Sequence, residues 1–485
     1  MSKAQITDVI LKSNLMKKII ITALMLSWYN AEAFAEDSPE ISSQEKAKNY
    51  YVKSKSYGTE PESDTPKYVR ELKETKIKQF KNVDWLNVGL QYRARFENRD
   101  NDFRRSYDTT DNVLLSRARA YIGVKKILDP LRFSFEFQDS RKSGSKFPAD
   151  NNDVDKLDFI QSYAELHFKN ALGKEHPISL RAGRMAFEVL DRRLIARNEW
   201  RNTTNNFEGF RAILGQDKND WQLDSFALQP VTRAVDRPDH PDSDQRLYGS
   251  ILNWRRWSET VTFQPFYLKL TQKQNLTSVS RNINSTGLRG YGVFGDSGFD
   301  YDLIGVYQFG NNGVQTHRAF GLVTEVGYNF VNDWKPRFSA NYGYGSGDKD
   351  PTDTKNQRFE RLFGFARPWS SSDYVKWENI SALKTRIELN PTKELRFDAG
   401  YSMYWLASKT DRWNRANLID RKGNSGDSIG QEFDSRLRYK LTRNLDSVLG
   451  YAHFTPGDFT RNKSRNTPSD FIWSLLGVCL INQKS

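Results

Sequence analysis

The stretch "LNVGLQYRARF", residues 86–96, indicates the fold because its side chains alternate strictly between two classes. One class is mainly apolar and consists of Leu86, Val88, Leu90, Tyr92, Ala94 and Phe96. The other is polar or small and consists of Asn87, Gly89, Gln91, Arg93 and Arg95. Successive side chains of a strand point to opposite faces, so the alternation predicts a β-strand with one apolar face and one polar face.

The same alternation recurs along the chain, for example in residues 131–138, 395–405 and 431–441. Short turns at 127–130, 390–394 and 441–444 alternate with long polar loops near 99–112, 139–156, 230–245, 346–377, 409–429 and 455–469. This asymmetry is typical of outer-membrane barrels. We therefore predict an all-β fold, a transmembrane antiparallel β-barrel of about 18 strands with short periplasmic turns and long extracellular loops.

Composition leaves a second fold open. A mean hydropathy of -0.74 and a hydrophobic content of 37% suit a polar soluble protein, and a soluble β-sandwich also has half-polar strands. Barrel strands, however, carry apolar residues only at every second position. The many consecutive strands, the lack of a domain break and the aromatic residues near strand ends favour the barrel; these aromatics are Phe96, Tyr121, Trp221, Tyr344 and Trp405.

The first residues indicate export. Lys17 and Lys18 precede an apolar run, residues 19–28, and small residues at Ala33 and Ala35 follow in the pattern of a cleavage site. The run is too short for a membrane anchor, so a secretory signal peptide is predicted. The expected organisation is a signal peptide at 1–35, with its start at Met1 or Met16, a polar periplasmic segment at 36–80, and a barrel at 81–485. The expected location is the outer membrane of a Gram-negative bacterium.

Charge and residue counts restrict the function. A formal charge of +13 in an exported chain indicates an anionic partner and argues against nucleic acid. The single cysteine, Cys479, excludes an internal disulfide. Five histidines without metal-ligand spacing, and the absence of a GxSxG motif, predict no metal, no cofactor and no enzyme. A hydrolase that pairs His453 with a serine of a neighbouring strand remains an alternative.

The polar faces of the strands carry a set of arginines that would line the lumen. They are Arg93, Arg95, Arg117, Arg119, Arg132, Arg386, Arg436 and Arg438. Guanidinium groups stay charged and bind carboxylates through two parallel hydrogen bonds, so such a lining selects anions. Acidic residues share these faces, namely Glu136, Glu388, Asp398, Glu432 and Asp434. Each arginine can therefore contact a ligand or brace the barrel through an ion pair, and both interpretations stay open.

Residues 183–212, "GRMAFEVLDRRLIARNEWRNTTNNFEGFRA", are predicted to form a strand, a loop and a returning strand. The alternation is lost after Gly183, where a bulge or a strand end is expected. The loop carries Arg193 and Arg197, and Arg211 lies on the polar side of the returning strand. Such a loop can remain solvated or fold inward and constrict a pore. These three arginines complete the candidate substrate contacts.

Residues 183–212 resemble the signature of the alginate export family of outer-membrane proteins. The matching residues are Gly183, Arg184, Asp191, Arg193, Leu194, Ile195, Trp200, Asn202, Phe207, Gly209 and Arg211. A second similar segment, residues 342–364, matches through Gly345, Ser346, Gly347, Asp348, Phe359, Leu362 and Phe363, and a third covers 389–411 and 429–459. The chain departs from the family pattern at Ala186, Phe187, Ala196 and Glu208, and its last residues, "CLINQKS", do not suit a strand.

The resemblance implies an electropositive barrel that passes a uronate polymer outward across the outer membrane. The predicted function is diffusion of an anionic polysaccharide through an arginine-lined lumen. A general anion-selective porin for small acidic solutes is the alternative. The expected partners are an anionic polysaccharide, outer-membrane lipid and periplasmic export or assembly proteins.

Overall fold

A computed structural model of the chain describes residues 53–63, 65–75 and 77–479, all within one compact unit, Tyr50–Ser485. The predicted signal peptide at 1–35 and residues 480–485 lie outside the described residues. Apart from Asp458–Lys463, the helical elements of the described part are short 3₁₀ turns, Leu72–Glu74 and Lys78–Phe80. Within that part, no helix has both the length and the apolar content needed to span a membrane.

The described residues form a closed antiparallel barrel, in which each strand pairs with the next along the chain. Its strands are β1 Leu86–Asp100, β2 Thr110–Val124, β3 Leu131–Ser143, β4 Asp155–Phe168, β5 Ile178–Met185, β6 Phe207–Leu214, β7 Trp221–Thr232, β8 Gln245–Trp254, β9 Thr262–Gln272, β10 Arg281–Val293, β11 Phe299–Asn312, β12 Gln315–Asn329, β13 Arg337–Gly345, β14 Ile380–Leu389, β15 Leu395–Trp405, β16 Ser428–Thr442, β17 Leu445–Pro456 and β18 Ser469–Cys479. β18 pairs with β1 from Asp100↔Asp470 to Gln91↔Cys479 and closes the barrel. The predicted fold and strand number are confirmed.

The two faces of β1 are those predicted from its alternation. Arg93 and Arg95 point into the barrel and are 6% and 3% exposed, whereas Leu90 and Tyr92 on the outer face are 43% and 46% exposed. The same division holds in β3, β15 and β16. An apolar outer face combined with a polar inner face is the pattern that membrane barrels require.

Tyr121 is an exception to the predicted aromatic ring at the membrane interface. Its side chain lies on the inner face of β2 and donates its hydroxyl to Ser134 Oγ at 3.0 Å. Tyr121 follows Arg117 and Arg119 at two-residue steps, so it shares their inward direction. The prediction for Tyr121 was therefore wrong.

Two long loops fold into the barrel. We call residues 186–206 the first inward loop and residues 346–379 the second inward loop. They meet in a short backbone ladder, where Phe363 N–H donates to Leu194 O at 2.9 Å and Phe365 N–H donates to Arg192 O at 2.8 Å. Leu194 is fully buried, so the loops build an apolar core inside the lumen.

A glycine pair flanks the first inward loop. Gly183 in β5 faces Gly209 in β6, and both have positive φ, at 128° and 148°. A Cβ atom at Gly183 would lie 2.4 Å from Ser162 O. Glycine alone adopts this conformation without strain, which explains why glycine occupies these two positions of the motif. β5 continues to Met185, two residues beyond the expected loss of alternation.

Candidate functional site

The wall of the barrel holds the first inward loop through its backbone. Arg93 donates to Glu199 O at 2.6 Å and to Arg201 O at 2.7 Å, and Arg95 donates to Trp200 O. Carbonyl groups buried away from water need donors, and these two guanidinium groups supply them. The inward folding that the sequence left open is therefore present, and it depends on arginines predicted to face the lumen.

An arginine cluster surrounds this loop. It consists of Arg93, Arg95, Arg99, Arg117, Arg119, Arg197 and Arg367, which lie around Glu97, Glu136 and Glu199. Arg119 contacts Glu199 at 2.8 Å, and Arg197 contacts Glu136 at 3.0 Å. Asp102 and Asp153 also lie near Arg99 and Arg95, but the seven arginines still outnumber these acids and the three glutamates, so the cluster carries excess positive charge where the wall and both inward loops meet.

Electrostatics keep the loop members of the cluster charged. Burial acts to raise the pKa of Glu199, but Arg119, Arg117 and Arg197 outweigh it and hold this pKa well below the usual value for glutamate. Burial acts to lower the pKa of Arg197, but Glu136 and Glu199 outweigh it and raise this pKa. Both side chains therefore remain ionised at neutral pH.

Trp200, a residue of the family-like motif, lies between two guanidinium groups. The Cζ atom of Arg95 is 4.1 Å from the centre of the Trp200 ring, and that of Arg367 is 3.6 Å away. Stacking on a ring leaves the in-plane N–H groups of an arginine free for acceptors. In the described part of the chain, neither Arg93 nor Arg367 forms an ion pair with a carboxylate.

The sequence missed part of this cluster. Arg99 and Glu97 lie on the inward side of β1 and follow Arg93 and Arg95 at two-residue steps, so the alternation had already indicated them. Arg367 lies in the irregular second inward loop, where no periodicity indicates a direction. Only the folded loop brings it to the cluster.

A second group of arginines forms ion pairs along β14–β16. Arg386 bridges Asp398 and Asp434, and Arg436 and Arg438 also contact Asp398, the former at 3.2 Å. In this structure these three arginines therefore brace the barrel through ion pairs, which was one of the two interpretations of the sequence. Their predicted contact with substrate stays a prediction.

Glu432 differs from the other inward acids of this region. Its carboxylate accepts hydrogen bonds from Ser370 Oγ and Ser371 N, both at 2.7 Å, and so anchors the second inward loop to β16.

The remaining predicted arginines also lie inside the barrel or at its periplasmic end. Arg132 contacts Asp129 at 2.9 Å, Arg193 contacts Asp191 at 2.7 Å, and Arg211 contacts Asp224 at 2.6 Å. The structure thus brings Arg93, Arg95, Arg117, Arg119 and Arg197 together and separates the other six from them.

A cavity of about 680 Å³ opens below the inward loops. Periplasmic turn residues such as Lys125 and Lys218 line one end of it, and Glu188 and Leu190 of the first inward loop line the other. Nine basic and six acidic residues line the cavity. It provides room for a polar solute on the periplasmic side of the arginine cluster.

One group of carboxylates in the described residues can hold a metal ion. Asp155, Asp158 and Asp239 offer oxygen atoms that lie within 4.8 Å of one another, although Arg184 already contacts Asp158 at 3.3 Å. The sequence did not indicate this group. It lies at the extracellular end of β4 and is linked to the arginine cluster through Gln138, which donates to Asp155 at 3.3 Å and accepts from Arg119 at 2.9 Å.

The histidine alternative is corrected by the structure. His453 contacts Asp470 at 2.9 Å on the outer face of the barrel, and not a serine. His167 Nδ1 lies 2.8 Å from Ser179 Oγ on the inner face. Among the described residues, no carboxylate forms a hydrogen bond with the second ring nitrogen of His167.

We expect Arg93→Ala to release the first inward loop. Arg93 makes two charge-assisted bonds to loop carbonyl groups, each worth about 1.5 to 3 kcal/mol. Single-channel conductance in planar bilayers should rise as the loop detaches, and trypsin should cut residues 186–206 faster. Arg396→Ala, which removes an exposed arginine at the periplasmic end of the barrel, is the matched control. Unchanged conductance together with reduced anion preference would instead show that Arg93 acts only through its charge.

A closed barrel with an apolar outer face and a basic interior narrowed by inward loops defines an outer-membrane porin-type protein. The family model for alginate export matches residues 84–473, and the chain belongs to the alginate export family. No curated protein matches the chain. The family and the fold point to a channel rather than an enzyme.

Solved structures with the same fold include three outer-membrane proteins. Pseudomonas aeruginosa OccK2 (OpdF) is 12% identical with a TM-score of 0.56, covering 81% of this chain and 98% of that one. Acinetobacter baumannii OccAB1 is 13% identical with a TM-score of 0.55, covering 84% and 99%. Pseudomonas aeruginosa OccK11 (OpdR) is 15% identical with a TM-score of 0.54, covering 81% and 96%. At these identities the likeness supports the fold alone.

Proposed function

We propose that the protein is a channel in the outer membrane of a Gram-negative bacterium, through which an acidic polysaccharide of the polyuronate class diffuses. The observation that carries this proposal is the arginine cluster, in which seven arginines face three glutamates at the inward loops. Excess positive charge in a narrow, poorly hydrated passage attracts anions and opposes cations. Membership of the alginate export family supports a uronate polymer as the substrate.

The cluster keeps donors for a passing carboxylate. The Nε atoms of Arg93 and Arg117 are buried and have no hydrogen-bond partner. A buried donor without an acceptor is costly, so an incoming carboxylate oxygen would be favoured there. Arg367 and Arg95, stacked on Trp200, offer further N–H groups beside it. A polymer with repeated carboxylates can engage one such group before it leaves another.

The proposal also names partners at the outer surface and at the periplasmic end of the barrel. Exposed apolar residues of the outer face, such as Leu114, Leu303 and Phe433, contact outer-membrane lipid. Periplasmic export or assembly proteins deliver the polymer, and nucleic acid is not a partner. No bound cofactor is required, because diffusion along fixed charges needs none.

A general porin for small acidic solutes is the second candidate. The cavity of about 680 Å³ favours it, because a space of this size accommodates a small carboxylate. Its mixed lining, with nine basic and six acidic residues, is less selective than the arginine cluster. Polymer binding separates the two candidates.

A planar bilayer containing the purified protein tests the proposal. In a KCl gradient we expect a reversal potential that shows anion preference, and added polymannuronate should reduce the current. The matched control polymer is neutral dextran of the same length, which should have little effect. In the variant Arg95→Gln/Arg367→Gln, anion preference and block by polymannuronate should both decrease.

Cation preference in the unmodified protein would overturn the proposal. Anion preference without any effect of polymannuronate would support the small-solute porin instead. The exposed residue Arg396 supplies a matched control, because Arg396→Gln removes one charge at the periplasmic end without touching the cluster.

A further inference from the structure

The segment that precedes the barrel enters the lumen. Ser54 Oγ donates to Asp302 Oδ2 at 2.6 Å, and Ser56 Oγ donates to Glu325 Oε2 at 2.9 Å. Asp302 and Glu325 are buried inward residues of β11 and β12. The sequence predicted a polar periplasmic segment for residues 36–80 and did not indicate these contacts with the wall.

Tyr57 lies against three cations of the neighbouring strands β14 and β16. The centre of its ring is 3.8 Å from Arg386 Cζ, 5.1 Å from Arg436 Cζ and 5.5 Å from Lys384 Nζ. Arg436 also donates to the hydroxyl of Tyr57. Lys384 Nζ is buried and lies 3.6 Å from Asp434 Oδ2 in an ion pair, but it has no hydrogen-bond partner.

The same segment also contacts the first inward loop. Arg192 donates to Gly58 O at 3.3 Å, and Glu62 N–H donates to Glu188 Oε2 at 2.7 Å. Residues 54–62 thus lie between the wall of β11–β16 and the loop that narrows the lumen. They occupy space that a solute on this side of the channel would need.

One end of the segment is fixed more firmly than the other. Val69–Glu71 pairs with Asn87–Gly89 on the edge of β1, beyond the last pairing of β18. Tyr68, next to this strand, is buried and donates to Glu136 at 2.7 Å. By contrast, Ser54, Ser56 and Tyr57 are held by polar and ring contacts. A carboxylate ligand would compete directly with the contacts that Tyr57 makes with Arg386 and Arg436.

We propose that Ser54, Ser56 and Tyr57 form a tethered plug of the channel, which a polyanion opens by displacing Tyr57 from Lys384, Arg386 and Arg436. This inference rests on the proposed function for the identity of the opening ligand. The plug itself rests on the contacts of the segment alone. It closes the arginine-bearing wall of β14–β16, while the tether at Tyr68 keeps the segment within reach of the lumen.

Conductance of the full chain in KCl tests the plug without any polymer. We expect Tyr57→Ala to raise the mean single-channel conductance several-fold, because ring and hydroxyl contacts are lost together. Tyr57→Phe keeps the ring and should give a smaller rise. Ser54→Ala/Ser56→Ala should also raise conductance. Lys55→Ala is the matched control, because the Lys55 side chain is exposed and makes none of these contacts.

A spin label tests displacement by the ligand. In a Cys479→Ser background, a label at Lys55→Cys should become more mobile when polymannuronate is added, and not with neutral dextran. Heat-modified gel mobility confirms assembly of each variant. An unchanged label would overturn opening by a polyanion, and wild-type conductance in both Tyr57→Ala and Ser54→Ala/Ser56→Ala would overturn the plug.

Different experimental results would overturn the plug and the proposed function. Raised conductance in Tyr57→Ala together with cation preference would support the plug and overturn the proposed function. Unchanged conductance in the plug variants together with anion preference and block by polymannuronate would overturn the plug and support the proposed function.

Discussion

Replacing Arg197 with alanine is expected to lower the free energy of unfolding by about 3 to 5 kcal/mol, because the substitution breaks a buried ion-pair network. Arg197 is 2% exposed and contacts Glu136 at 3.0 Å and Glu199 at 2.8 Å. Glu136 would keep a fully buried negative charge, and Glu199 a partly buried one, each with fewer partners. Urea unfolding followed by tryptophan fluorescence in detergent measures the change.

Two further variants define the cause of this loss. Arg197→Ala/Glu136→Gln removes one charge of each sign, and we expect it to recover part of the stability, as a double-mutant cycle would show. Arg396→Ala changes an exposed arginine and should stay within about 0.5 kcal/mol of the parent chain. An Arg197→Ala variant as stable as the control would show that the network contributes nothing to folding.

The second large effect is expected from Gly364→Ala in the second inward loop. A Cβ atom at Gly364 would lie 1.6 Å from Arg193 O, so the two loops cannot keep their present contact. The obstacle is backbone rather than a flexible side chain, and we expect a cost of about 3 kcal/mol or more. Faster trypsin digestion of both loops and a higher channel conductance would report their separation.

Gly305→Ala is the matched control for this substitution. A Cβ atom at Gly305 on β11 meets no atom within 4 Å, so both the loops and the conductance should stay unchanged. If Gly364→Ala behaves like Gly305→Ala, the ladder between the two inward loops does not narrow the lumen.

The local pattern of the sequence was sufficient for the barrel wall. The alternation in residues 86–96 placed Arg93 and Arg95 inside and Leu90 and Tyr92 outside, and the structure confirms all four positions. A strand needs only its own period to fix which face each side chain occupies, so neighbouring residues carry this information. Tyr121 was placed wrongly because its aromatic character was given more weight than the alternation of side chains along the strand.

The partners of the inward side chains could not be predicted in this way. Arg93 holds a loop more than 100 residues away, and Arg436 contacts Tyr57 across 379 residues of chain. Arg367 lies in a loop whose sequence has no periodicity. Many backbone conformations are compatible with such a sequence, so it does not predict that Arg367 reaches the cluster. The ion pairs between inward arginines and carboxylates likewise depend on which strands meet in the closed barrel.

The sequence by itself therefore determined the barrel, its two faces and the family-like motifs, because each of these depends on residues close together in the chain. The tertiary structure alone decided that two loops fold inward, that seven arginines gather around three glutamates, and that Tyr57 covers Arg386. These arrangements depend on long-range packing, in which buried carbonyl groups and charges find partners only when distant segments meet.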